Sequence, residues 1–137
     1  MSSPIAARNS NVNTVNLPIT NKSFTPGVNI ATITVENSFL DVCLNATIGP
    51  NSNINFVRNG LSPEIYTSDI NSNLHIGSDI SNKTPFIGKQ TITVIINVAP
   101  NETIYISNLN YKTSKPLNYK TLAIIFLIVF FILNIFL

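Results

Sequence analysis

An antiparallel β-sandwich, immunoglobulin-like or small jelly-roll, followed by one apolar C-terminal helix, is the all-β fold class this sequence predicts. Three observations carry it. Between Asn13 and Tyr111 the chain is written in short runs rich in Ile, Val, Thr and Phe, broken by Asn, Gly, Pro and Ser clusters roughly every eight to twelve positions. No segment of helical period longer than two turns interrupts them. The last seventeen residues, Thr121 to Leu137, carry no charge. Two sheets with one apolar face each must cover one another, and without crossover helices the pairing must be antiparallel.

The elements follow in order. "MSSPIAARNSN" is small, polar and aperiodic, so residues 1–12 read as a flexible arm that orders only against a neighbour. "VNTVNLPIT" is a first strand, with Pro18 marking an edge where a missing N–H is harmless. "TPG" at Thr25–Gly27 is a turn, since proline presets one dihedral and glycine takes positive φ. "VNIATITVE" then alternates, with Ala31, Ile33 and Val35 on the side expected to face inward. "SFLDVCLNATI" sets Leu40, Val42 and Leu44 against Phe39, Asp41 and Cys43, and the two runs read as a hairpin.

Asn59-Gly60 is the strongest hairpin signal, because both residues tolerate the left-handed dihedrals of a type I′ turn. It joins a strand at Ile54–Arg58 to one at Glu64–Thr67. Residues 70–86 are mostly polar, with a weak strand at Leu74–Ile76 and a loop at "SDISNKTP". "KQTITVIINVAPNETIYISNLNY" gives the clearest pair: Ile92, Val94, Ile96 and Val98 share a face, Pro100 and Asn101 turn the chain, and Ile104 and Ile106 return it. Seven or eight strands result, in a sandwich domain over residues 13–111. "KTSKPLNYK", residues 112–120, has the composition of a short stalk.

Residues 121–137 are apolar around the whole helical circumference, unlike a core helix with its polar stripe. The run is expected to span a membrane as a tail anchor, with Tyr119 and Lys120 at the headgroup level and Leu122, Ile125, Phe126, Phe130, Phe131 and Leu137 in lipid. Lys112, Lys115 and Lys120 precede it, so the positive-inside rule puts the N-terminal domain on the cytoplasmic side of a single-pass protein. "MSSPIAARNSNVNTVNLP" contains no apolar stretch of the length an export signal needs. No small-xxx-small pattern marks the run for close helix pairing, and Asn134 is its one interior amide.

Composition limits the function. Charged residues are 10% of the chain and the net charge is +2, which gives no basic stripe for nucleic acid. Asparagine and isoleucine occur twenty-one times each, the bias an A+T-rich coding genome produces. That bias also supplies four N-linked acceptor tripeptides, at Asn21, Asn45, Asn82 and Asn101, which the expected topology leaves unmodified. The single cysteine, Cys43, is expected as a small buried residue of its strand. His75 stands alone in sequence, so no metal or cofactor site is expected. Acid–base chemistry would have to draw on His75, Asp41, Glu64, Asp69 and Asp79, and no two of them form a recognisable spacing.

The layout resembles, in architecture only, the tail-anchored major-sperm-protein-domain adaptors of the endoplasmic reticulum; their basic motif-binding face and coiled coil are missing here. The Asn and Ile bias, small size and lack of an enzyme signature look more like a minor structural protein of a large or membrane-containing DNA virus. That resemblance implies a membrane-anchored link between an internal virion membrane and a protein shell. It makes the edge strands and N-terminal arm contact surfaces for a capsid lattice, another protein or a second copy. The expected function is therefore structural and non-enzymatic; a cellular adaptor, or a membrane-bound enzyme, are the alternatives.

Overall fold

The computed structural model describes residues 12–77, 84–116 and 119–137. Nine strands and one helix occupy them: β1 (Val12–Thr14), β2 (Ile19–Phe24), β3 (Gly27–Glu36), β4 (Phe39–Ile48), β5 (Asn53–Arg58), β6 (Glu64–Tyr66), β7 (Ile70–Ile76), β8 (Lys89–Val98), β9 (Ile104–Ser114) and α1 (Tyr119–Phe136). The strands form a five-stranded sheet in the order β1-β3-β8-β5-β6 and a four-stranded sheet in the order β2-β9-β4-β7. Every pairing is antiparallel except β1 with β3.

One core lies between the sheets. Ala31, Ile33 and Val35 of β3 and Ile92, Val94, Ile96 and Val98 of β8 come from one side; Leu40, Val42 and Leu44 of β4 and Ile104, Ile106 and Leu109 of β9 come from the other. The alternation expected from the sequence is the alternation found, because a pleated strand sends successive side chains to opposite faces. Phe56 is fully buried and meets Tyr66 edge-on, ring centroids 5.8 Å apart. Burial raises the Tyr66 phenol above its ordinary range, with the Glu64 carboxylate adding to the effect.

The expected hairpins fare differently. β3 pairs with β8, and β4 with β7 and β9, so "VNIATITVE" and "SFLDVCLNATI" lie in opposite sheets. β8 and β9 are likewise separated, and only β5–β6 is a hairpin between consecutive strands. Inward alternation specifies a face and says nothing of the neighbour. The chain crosses instead at turns tied to one another. Glu102, after β8, accepts from the Asn51 N–H at 3.1 Å, the Asn51 side-chain amide at 2.9 Å and the Ser52 hydroxyl at 2.7 Å, after β4. Ser52 Oγ in turn accepts the Ala99 N–H at 2.9 Å. After β3, Asn37 takes positive φ (48°), and its side chain accepts the Gly88 N–H at 2.7 Å.

Smaller expectations also change. The first strand is two, β1 and β2, in different sheets on either side of the cis Leu17–Pro18 bond. At Asn59-Gly60 only Gly60 has positive φ (74°), so the connection is not type I′; the Leu61 N–H returns to the Arg58 carbonyl at 3.2 Å. β7 begins at Ile70, earlier than its polar sequence suggested, because Ile70 and Leu74 pack on the core edge. β9 continues through Ser114, where it faces Phe39, and takes in the first three residues of the expected stalk. The arm expected over residues 1–12 and most of the "SDISNKTP" loop lie outside the described residues, apart from Val12, Thr84 and Pro85.

The membrane-spanning expectation is corrected. α1 has 18 residues, about 27 Å at 1.5 Å per residue, against a hydrocarbon core of about 30 Å. Among the described residues no helix is long and apolar enough to cross a membrane. The single-pass placement, its cytoplasmic orientation and the virion internal membrane fall with it. What stands is the apolarity: large side chains from Leu122 to Leu137 are exposed around the helix. Asn134 donates to the Phe130 carbonyl of its own helix at 3.0 Å, and so is engaged within α1.

Two outcomes test this packing. Phe56→Ala should cost about 3–5 kcal/mol in urea unfolding, since a fully enclosed aromatic leaves a cavity between sheets. The hydrogen bonds from Ser52 and Asn51 hold the Glu102 pKa below its ordinary 4.5. Its contribution is then complete above that pH and fades as pH falls through the lower folded value. Glu102→Gln should therefore flatten the acid limb of a stability–pH profile; an unchanged limb would show that the crossing turns are not tied this way.

Candidate functional site

The outer face of the four-stranded sheet gathers most of the polar chemistry. Since Leu40, Val42 and Leu44 point inward, Asp41, Cys43 and Asn45 must point out. β4 is flanked by β7 and β9, and the register builds three rows across the face: His75–Asp41–Lys112, Asn73–Cys43–Asn110 and Asn71–Asn45–Asn108. A one-residue irregularity in β9 opposite Asn45 and Ala46 keeps Leu109 in the core and Asn108 outside. Ser107, the extra residue, donates its hydroxyl to the Asn45 carbonyl at 3.2 Å.

An open cavity of about 260 Å³ lies over the first two rows, lined by Asp41, Val42, Cys43, Asn73, His75, Asn110, Tyr111 and Lys112. Within it His75 Nδ1 contacts Asp41 Oδ1. The histidine side chain is 50% exposed and the aspartate 28%. Carboxylate contact at Nδ1 fixes the ring's orientation and leaves Nε2 for another group. Cys43 is half-exposed on this face, which corrects the expectation of a buried residue, and its sulfur accepts the Asn108 side-chain amide at 3.1 Å.

Of the five acid–base candidates, the structure brings together Asp41 and His75, thirty-four residues apart. Asp69 instead accepts the Ile48 N–H at 2.8 Å, which holds the end of β4. Glu64 sits in β6 with one buried carboxylate oxygen lacking a hydrogen-bond partner among the described residues. Asp79 lies outside the described residues. Sequence reasoning missed the Asp41–His75 pair because β5 and β6, in the other sheet, separate β4 from β7 along the chain. It also missed Arg58, which the inward parity of Ile54 and Phe56 could have flagged. Arg58 is 3% exposed and reaches the carbonyls of Gly77 and, at 3.2 Å, Ser62.

An aspartate-held histidine near a cysteine contains parts of a nucleophilic site, but the geometry does not assemble one. Among the described residues no hydrogen bond joins His75 Nε2 to Cys43, whose sulfur is engaged by Asn108. β4 is paired on both sides, so its backbone N–H groups serve the ladders instead of forming an oxyanion hole. No group of three or more His, Cys, Asp or Glu side chains among the described residues could hold a metal ion. Comparison with protein-family models, curated proteins and solved structures finds no match.

A half-exposed ion pair contributes little to folding. His75→Ala should lower stability by no more than about 1 kcal/mol in urea unfolding, whereas Leu44→Ala, one pleat away on the buried face, should cost about 2–5 kcal/mol. Equal losses would mean that the polar row is a structural staple instead of an open surface.

Proposed function

We propose that this chain is a non-enzymatic structural or interaction protein: a jelly-roll head that meets partners through its faces and edges, and is attached to a lipid surface by its apolar helix. The strand order supports the jelly-roll reading. Taking β2 to β9 as eight consecutive strands, the sheets run first-eighth-third-sixth and second-seventh-fourth-fifth, the order of two nested Greek keys, with β1 added beside β3. That architecture is shared by capsid and lectin domains and by cupins, so it supports a structural role without choosing a partner.

The observation that carries the attachment is the helix. Its exposed side chains are apolar on every side, and none of them belongs to the core of the head. A protein groove covers one side of a helix, and an in-plane amphipathic helix needs a polar face. Acyl chains cover all sides, and a helix of about 27 Å that enters the hydrocarbon from one side stops short of the roughly 30 Å of a full crossing. Lys115 lies at the head-proximal end, where a lysine near a lipid surface is drawn to anionic phosphates. The viral reading follows only if the partner of the head is a shell protein. In that reading β7, β2 and β6, the antiparallel sheet edges, offer unpaired backbone to a neighbour.

Vesicle flotation tests the proposal. The full chain should rise with phosphatidylcholine vesicles containing anionic lipid, and a chain ending at Pro116 should stay below while keeping the far-ultraviolet spectrum of a β fold. A full chain that stays below as a discrete oligomer would show that protein, not lipid, covers the helix. Recovery of a substrate-converting activity dependent on His75 would contradict the non-enzymatic reading.

A further inference from the structure

We propose that the cavity on the outer face of β7-β4-β9 is a binding site for a neutral polyhydroxylated ligand, a sugar ring of a glycan. The argument starts from the charges that line it. Lys112 and Asp41 stand in one row across the sheet and carry opposite charges, and the remaining outward lining is amide, imidazole and the Cys43 thiol. An anion entering this space meets the Asp41 carboxylate, and a cation meets Lys112. A neutral ligand meets neither penalty.

The hydrogen-bonding inventory then narrows the class. Asn73 brings a donor and an acceptor, Asn110 brings amide donors beside an oxygen that accepts the Tyr111 N–H at 2.8 Å, Lys112 brings donors, and His75 with Nδ1 on Asp41 keeps Nε2 for a further hydrogen bond. Such interleaved donors and acceptors suit hydroxyl groups, which do both. The volume, about 260 Å³, is just below the roughly 300–1,000 Å³ of pockets for drug-sized ligands. It suits one ring, and the open mouth lets further residues of a chain continue over the Asn71–Asn45–Asn108 row. The site rests on paired strands, so it is pre-formed and its occupancy does not depend on the helix or on lipid.

The test is a titration of the isotope-labelled full chain, held in phosphocholine micelles so that no sugar-based detergent competes, with galactose, mannose, glucose and N-acetylglucosamine in turn. At least one sugar should shift the side-chain amides of Asn73 and Asn110 and the backbone amides of Asp41 and Lys112 saturably. Asn110→Ala, at an exposed position, should weaken that binding about tenfold, the equivalent of one strong hydrogen bond lost. Asn73→Ala, on the edge strand, provides a second variant of equal weight. No saturable shift with any of the four sugars would overturn the proposal. So would the same affinity in both variants, or shifts produced by inorganic phosphate and by none of the sugars.

Discussion

Everything in this molecule depends on the closure of two pleated faces over one another. β3 and β8 form the centre of one sheet, β4 and β9 the centre of the other, each ten or eleven residues long and each apolar on alternate positions. Once those rows meet, water is excluded from both faces at once, which is the largest favourable term available to a chain with few charges. The rest is subordinate. Short β1 and β6 finish one sheet, β2 and β7 the other, and the crossing turns are held by Glu102, Ser52 and Asn37 because sequential strands are sent to opposite sheets.

That constraint also explains which features were legible in the sequence. Inward residues were readable wherever alternation was clean: Ala31, Ile33 and Val35, or Ile92 to Val98. Pairing was not. A two-residue period identifies the buried face of a strand, while the neighbour is decided by which rows fit across the core and by turns such as Asn37 and Glu102. Adjacent runs therefore looked like hairpins when they were opposite walls. Pro18 punctuated the chain correctly, between two edge strands, and also marked a change of sheet that the sequence did not show. The candidate site suffered for the same reason, since Asp41, Cys43 and His75 were all visible and only the true register sets them in neighbouring rows.

The same closure divides the molecule's chemistry. Inward positions are spent on packing, so any recognition must come from outward ones, and the three rows on β7-β4-β9 supply five amides, one carboxylate, one histidine, one lysine and one thiol. The asparagine bias that says little as composition becomes a surface once five of these residues share a face. The helix is the opposite case: it is largely apolar and stands outside the core between the sheets, and among the described residues no helix is long and apolar enough to cross a membrane.

The most direct measurement is of strand pairing in solution, by nuclear Overhauser contacts across the ladders of the isotope-labelled chain. Contacts from Thr32 to Thr93 and from Val42 to Tyr111, with none joining β3 to β4, are what facing sheets of this order require. A continuous ladder from β3 to β4, or from β8 to β9, would contradict the account: the three polar rows would dissolve, and with them the cavity and the surface they form.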